Sequence, residues 1–166
     1  MVFEHLEEKE AVKRAALIET NGYRFYTLLA DRVDDVETKK VLLRLADDEK
    51  KHQRLIENKF FPEAGFSPEE ITDEELVIEE YIERSGAADI FSRRIDVEAL
   101  VRVMDTTKKA LILALDTERN SVDYFLALAR KAESAEARAI YEDLVDEERR
   151  HVALIEGLLA ALPPSA

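Results

Sequence analysis

Apolar residues recur every three and four positions along most of the chain, the repeat of helices that bury one face. From about Phe3 to Asp31 the stripe is Val12, Ala15, Glu19, Gly22, Tyr26, Leu29 and Val33. Residues Asp31 to Asp35 read as a turn, with Asp35 a candidate N-cap for the next helix. That helix is predicted from about Val36 to Phe60 on the stripe Leu42, Leu45, Glu49, His52 and Ile56. Pro62 is expected to end it, with Gly65 and Pro68 marking a loop. Short helices are predicted near Asp73–Glu83 and Val97–Met104. A third long helix begins near Asp105, its candidate cap, and runs to about Lys131. Its stripe is Leu111, Ala114, Glu118, Ser121, Phe125, Leu128 and Ala132. Ser134 caps a fourth, from Ala135 to about Leu162, on the stripe Tyr141, Leu144, Glu148, His151 and Ile155.

Six of these stripe positions carry groups that do not belong in an apolar core: Glu19, Glu49, His52, Glu118, Glu148 and His151. A solvated Glu-x-x-His in the second helix would sit on the opposite side, among Lys50, Lys51 and Arg54. The six also repeat. Shifted by 99 positions, Glu19 falls on Glu118, Glu49 on Glu148 and His52 on His151, with no gap. The caps Asp35 and Ser134 coincide as well. Over residues 19–60, 12 of 42 positions are identical to their partners, and all six polar core residues are among the matched ones. The expected architecture is all-α: a four-helix bundle of two repeated helix pairs, 3–60 and 105–162, joined by a crossover, 61–104. The crossover returns the chain so that the third long helix runs parallel to the second. Residues 1–166 read as one domain.

One Glu from each of two helices and Glu-x-x-His from each of the other two form a dinuclear metal set. Two divalent ions bring four positive charges, which four carboxylates balance when both imidazoles are neutral. Without metal, four carboxylates facing one another in a core would take up protons. Oxygen and nitrogen donors without sulfur suit iron, manganese or zinc, and redox chemistry at open carboxylate-rich sites favours two Fe ions. The chain has no cysteine, which excludes thiolate metal sites and disulfides within it. A net charge of -13 speaks against a nucleic acid partner. No run is long and apolar enough for a membrane span or a signal peptide, so the expected setting is the cytoplasm. Tyr26, two turns after Glu19, needs a hydrogen-bond partner if buried, and a liganding carboxylate is one candidate. Its repeat partner, Phe125, has no hydroxyl. Gly22 and Ser121 serve either close helix packing or room for a ligand. Asp47 and Asp146 either orient a histidine or face solvent, and His5 reads as an ordinary surface residue.

The segment from Ala16 to Tyr26, with its Glu-x6-Tyr, and Glu49-x-x-His52, repeated at Glu118 to Phe125 and Glu148-x-x-His151, resembles the rubrerythrin branch of the ferritin-like superfamily. The resemblance covers both helix pairs. It implies a ferritin-like bundle with a di-iron centre that reduces hydrogen peroxide or dioxygen, or oxidises ferrous iron. Rubrerythrins usually carry a cysteine-ligated rubredoxin domain that delivers electrons; the resemblance therefore implies an external electron donor such as a rubredoxin here. They also carry an extra Glu one turn after the third-helix ligand, where this chain has Ser121, and a second Tyr where it has Phe125. The plain four-Glu, two-His set is closer to a bacterioferritin-type ferroxidase centre. A peroxide- or dioxygen-reducing enzyme, a ferroxidase and a structural-metal bundle are the competing expectations, with a homodimer as the expected assembly.

Overall fold

The computed structural model describes residues 7–78 and 89–164. Four long helices carry the fold: α1 (Glu8–Arg32), α2 (Val36–Ala64), α4 (Thr107–Lys131) and α5 (Ala135–Ala161), with a short α3 (Val97–Val103) in the crossover. No strand occurs among the described residues; Leu76 and Ile95 form one isolated parallel bridge. The result is an all-α ferritin-like bundle.

The repeat extends to helix boundaries. Glu8 and Thr107, Arg32 and Lys131, and Val36 and Ala135 are all 99 positions apart. Local chemistry sets these limits. Asp35 accepts a hydrogen bond from Thr38 N at 2.8 Å, and Ser134 accepts one from Ala137 N at 3.0 Å, each satisfying an amide the helix start leaves unpaired. At α4 the cap is Thr106, which accepts from Lys109 N at 3.1 Å. Asp105, the expected cap, instead reaches Lys109 Nζ at 2.8 Å.

Pro62 does not end α2. The helix runs through it to Ala64. A proline in the last turn forfeits only the bond to the carbonyl four residues back. Buried Phe60 and Phe61 hold that turn against the core. Gly65, at φ 65°, then closes the helix. Its N–H donates to Pro62 O at 3.2 Å and that of Phe66 to Phe61 O at 2.9 Å, while the Phe61 and Phe66 rings meet at 4.9 Å. This is a Schellman closure with its hydrophobic contact. The helix expected near 73–83 is not formed over 73–77; residues 79–83 lie outside the described residues, as does His5.

Three-residue turns, 33–35 and 132–134, make each helix pair antiparallel. Ala11 O accepts from Tyr124 Oη, and Tyr26 reaches Glu118, so α1 and α4 run in opposite directions. Hence α4 runs parallel to α2, as the crossover requires. Buried Asn21 ties the crossover down: its amide donates to Phe91 O and Arg93 O, both at 2.8 Å. The Arg32 guanidinium holds the other end of the crossover through the carbonyls of Val101 and Met104.

The core divides in two. One apolar cluster holds Phe25, Leu29, Leu42, Leu45, Leu100 and Leu111. The other holds Val12, Ile56, Phe60, Phe125, Tyr141 and Leu144. Glu19 lies between Val12 and Phe25 on α1, so the polar positions occupy the middle of the bundle.

Replacing Asn21 with Ala leaves two carbonyls unpaired and is expected to cost about 2 kcal/mol, read as a lowered urea midpoint of the metal-free protein. An unchanged midpoint would remove Asn21 as the crossover's anchor.

Candidate metal centre

Each long helix brings its polar stripe positions to the same level of the bundle. Glu19, Glu49, His52, Glu118, Glu148 and His151 are all buried, none more than 4% exposed. Glu19, Glu49, His52 and Glu148 offer ligand atoms within 4.8 Å of one another, and so do Glu49, Glu118, Glu148 and His151. Glu49 and Glu148 belong to both groups. The site is therefore two overlapping sets of three carboxylates and one imidazole.

The contacts follow the repeat. His52 Nδ1 lies 3.1 Å from Glu148 Oε1, and His151 Nδ1 lies 3.1 Å from Glu49 Oε1. Glu19 Oε2 approaches His52 Nδ1 at 3.3 Å, and Glu118 Oε1 approaches His151 Nδ1 at 3.5 Å. The two imidazoles stack, centroids 5.8 Å apart. In both rings Nδ1 faces the carboxylates.

The opposite ring nitrogens have partners that the sequence reading missed. His52 Nε2 meets Glu147, and His151 Nε2 lies 3.2 Å from Asp48 Oδ2. Each acid precedes a site glutamate and serves the histidine of the other pair. A carboxylate there holds the proton on Nε2 and leaves Nδ1 free to bind metal. Asp48 and Glu147 are themselves 99 positions apart, a signal the identical pair Asp47 and Asp146 overshadowed. Asp47 and Asp146 are exposed, and Asp146 pairs with Arg149 at 3.7 Å.

Tyr26 is fully buried and donates to Glu118 Oε1 at 2.5 Å, so its partner is one of the candidate ligand carboxylates. Gly22 packs against Glu49: an added Cβ would lie 3.4 Å from its Cγ and Cδ, an ordinary contact, so the glycine marks close packing beside the site. Ser121 turns its hydroxyl back to Thr117 O at 2.9 Å.

Burial in an apolar bundle makes this cluster gather protons. Burial first, then the charges of Glu49 and Glu148, pushes the Glu19 carboxyl well above the usual range. Burial and Glu148 raise Glu118 to about 8. Burial also acts to raise Glu148, as does Glu49, but hydrogen bonds with Glu118, His151 and His52 bring it down to about 2. Glu49 is lowered in the same way, its close neighbours Glu19, His151 and His52 outweighing burial and the charge of Glu118. Burial would lower the imidazoles, yet the surrounding carboxylates raise both His52 and His151 far above their ordinary value. Without metal the cluster therefore tends to hold protons where a cation would otherwise balance its carboxylates.

The donor set fits metal. Both oxygens of Glu19 and Oε2 of Glu118 and of Glu148 are buried with no hydrogen-bond partner. Buried polar atoms are seldom left so, and a cation satisfies several at once. Hard oxygen donors with one imidazole per position match iron or manganese, and zinc less selectively.

Fold and site define a ferritin-like bundle around a buried carboxylate–histidine cluster that could hold metal. The chain belongs to the Rubrerythrin family, whose model matches residues 10–107. That match includes Glu19, Glu49, His52 and Tyr26; Glu118, Glu148 and His151 rest on the repeat and the geometry. No curated protein and no solved structure matches the chain.

Replacing either shared glutamate, as in E49Q or E148Q, should reduce bound metal from two ions per chain to fewer than one, measured by elemental analysis after gel filtration. Full loading of either variant would remove that residue from the site. The metal-free protein should also lose stability as pH rises. The folded state keeps the Glu118 proton up to about pH 8, whereas an unfolded glutamic acid releases it near 4.5. The stabilisation is complete below about 4.5 and lost by about 8, and the raised imidazoles act in the same direction above their unfolded value of 6.5. Urea midpoints in chelator at pH 5 and 8 check this, and E118Q should flatten the difference.

Proposed function

We propose that the chain is a di-iron oxidoreductase that reduces hydrogen peroxide or dioxygen with electrons from an external donor protein of the rubredoxin type. The observation that carries this reading is the sharing of Glu49 and Glu148 between two ligand groups, each with its own imidazole. Such a pair of positions suits a two-electron substrate. Bound there, iron supplies two ferrous-to-ferric steps, the two electrons that with two protons convert hydrogen peroxide to two waters.

The residues around the site support that chemistry. Glu49 and Glu148 would be shared by the two ions, with Glu19 and His52 completing one position and Glu118 and His151 the other. Glu147 and Asp48 hold the imidazole protons on Nε2 and aim Nδ1 inward. Tyr26 orients Glu118. Apolar clusters on both sides exclude bulk water. The 166 residues contain no cysteine, so the electrons come from a redox centre outside them. None of the described helices is long and apolar enough to cross a membrane.

Ferrous iron oxidation is the second reading. Ser121 favours it: this residue stands where rubrerythrins carry an additional glutamate, and its hydroxyl is committed to Thr117 O.

Anaerobic titration with ferrous iron, followed by one equivalent of peroxide, tests both. Two irons per chain, oxidised faster than free ferrous ion and then re-reduced by reduced rubredoxin over repeated cycles, are expected for the oxidoreductase. Rapid oxidation followed by loss of ferric iron from the site would favour the second reading. Oxidation no faster than that of free ferrous ion contradicts both.

A further inference from the structure

The six site residues obey the 99-residue repeat, but their surroundings do not. Tyr26 donates to Oε1 of Glu118 at 2.5 Å. The position related to Tyr26 by the repeat is Phe125, which has no hydroxyl to offer Glu19. The hydrogen bonding agrees with this difference. No hydroxyl or amide donates to either oxygen of Glu19 among the described residues, whereas Glu118 Oε1 accepts from Tyr26 and only Oε2 lacks such a donor. Glu19 Oε2 does approach His52 Nδ1 at 3.3 Å, but Glu118 Oε1 makes the matching approach to His151 Nδ1 at 3.5 Å, so that contact does not separate the halves.

A hydrogen bond to a carboxylate stabilises its anion and lowers its basicity. It also holds the group in one orientation. Glu118 is therefore the weaker donor, with one oxygen occupied by a phenol. Glu19 can turn both oxygens to a cation. The neighbouring residues add nothing to the Glu118 half. Ser121, one turn further along α4, spends its hydroxyl on Thr117 O at 2.9 Å. Gly22, the related position, has no side chain and offers Glu19 no hydroxyl either.

The geometry points to two unequal metal positions, a tight one built on Glu19 and His52 and a looser one built on Glu118 and His151, with the Tyr26 hydroxyl as the cause of the difference. The inference rests on the dinuclear reading above and goes further, since a symmetric donor set alone would give equal positions. It assigns the order of loading. The first divalent ion enters at Glu19 and His52. The Glu118 and His151 position fills second and empties first, because one oxygen of its own carboxylate is already engaged by the phenol. Tyr26 is a positioning residue in this scheme, acting through Glu118.

Zinc, which is redox-silent, separates this claim from any question of turnover. The chain has three histidines, so ring nitrogen resonances report each position by name, with His5 as an internal reference. In a Zn2+ titration of the metal-free protein, the His52 ring should shift during the first equivalent and the His151 ring during the second. Calorimetry should give step constants separated by about tenfold or more, the scale on which partners of metal ligands act. Y26F, which removes one atom from a buried ring, should bring the two constants within about threefold. Adding F125Y to it should make His151 respond first. Simultaneous response of His52 and His151 in the unaltered protein overturns the inequality while leaving the dinuclear centre standing. A Y26F gap as wide as the original overturns the role of Tyr26. If neither ring responds to two equivalents, the dinuclear centre itself fails, and the inference with it.

Discussion

Four carboxylates buried against one another at the middle of a bundle are the constraint on which the rest of the structure depends. Charges removed from water are costly unless each is met by an opposite charge and directed hydrogen bonds. Here two imidazoles and bound protons meet that need when metal is absent, and two cations in the proposed centre would meet it in the protons' place. Either solution demands that four helices deliver their ligands to one level. The paired turns, the matching helix boundaries and the crossover that makes α4 parallel to α2 all serve this registration. Placing the polar layer at the centre splits the core, and each apolar cluster then seals one side.

Duplication accounts for the ligands and divergence for what surrounds them. The repeated pairs give two equivalent sets of Glu and Glu-x-x-His, and even the acids behind the histidines, Asp48 and Glu147, correspond. The halves part at Tyr26 and Phe125, and at Gly22 and Ser121. A site with symmetric ligands and unsymmetric supports can bind two ions of one kind and use them differently. The same divergence marks the departure from the rubrerythrin pattern, since Ser121 and Phe125 are the positions where this chain lacks that family's expected Glu and Tyr.

Much of this was legible in the sequence because both helix packing and metal chemistry leave periodic traces. Glu49 and His52 stood out by occupying places on an apolar stripe, and burial bears that out. Three features were not legible. Pro62 was read as a stop because local propensity favours one, yet the buried Phe60 and Phe61 and the closure at Gly65 outweigh a single lost hydrogen bond. Asp105 and Thr106 are both good caps, and only the reach of Asp105 to Lys109 decides between them. Asp48 and Glu147 act across the bundle on the other pair's histidine, and such a contact has no signature within one helix.

The most direct test of the central claim is X-ray absorption at the iron edge of protein loaded with two equivalents of ferrous iron. The account predicts nitrogen and oxygen neighbours only, together with a metal–metal scattering shell at about 3.5–4 Å, the separation usual for two-metal sites. Iron with no metal neighbour would mean that the two ligand groups do not act as one centre, and would contradict the account.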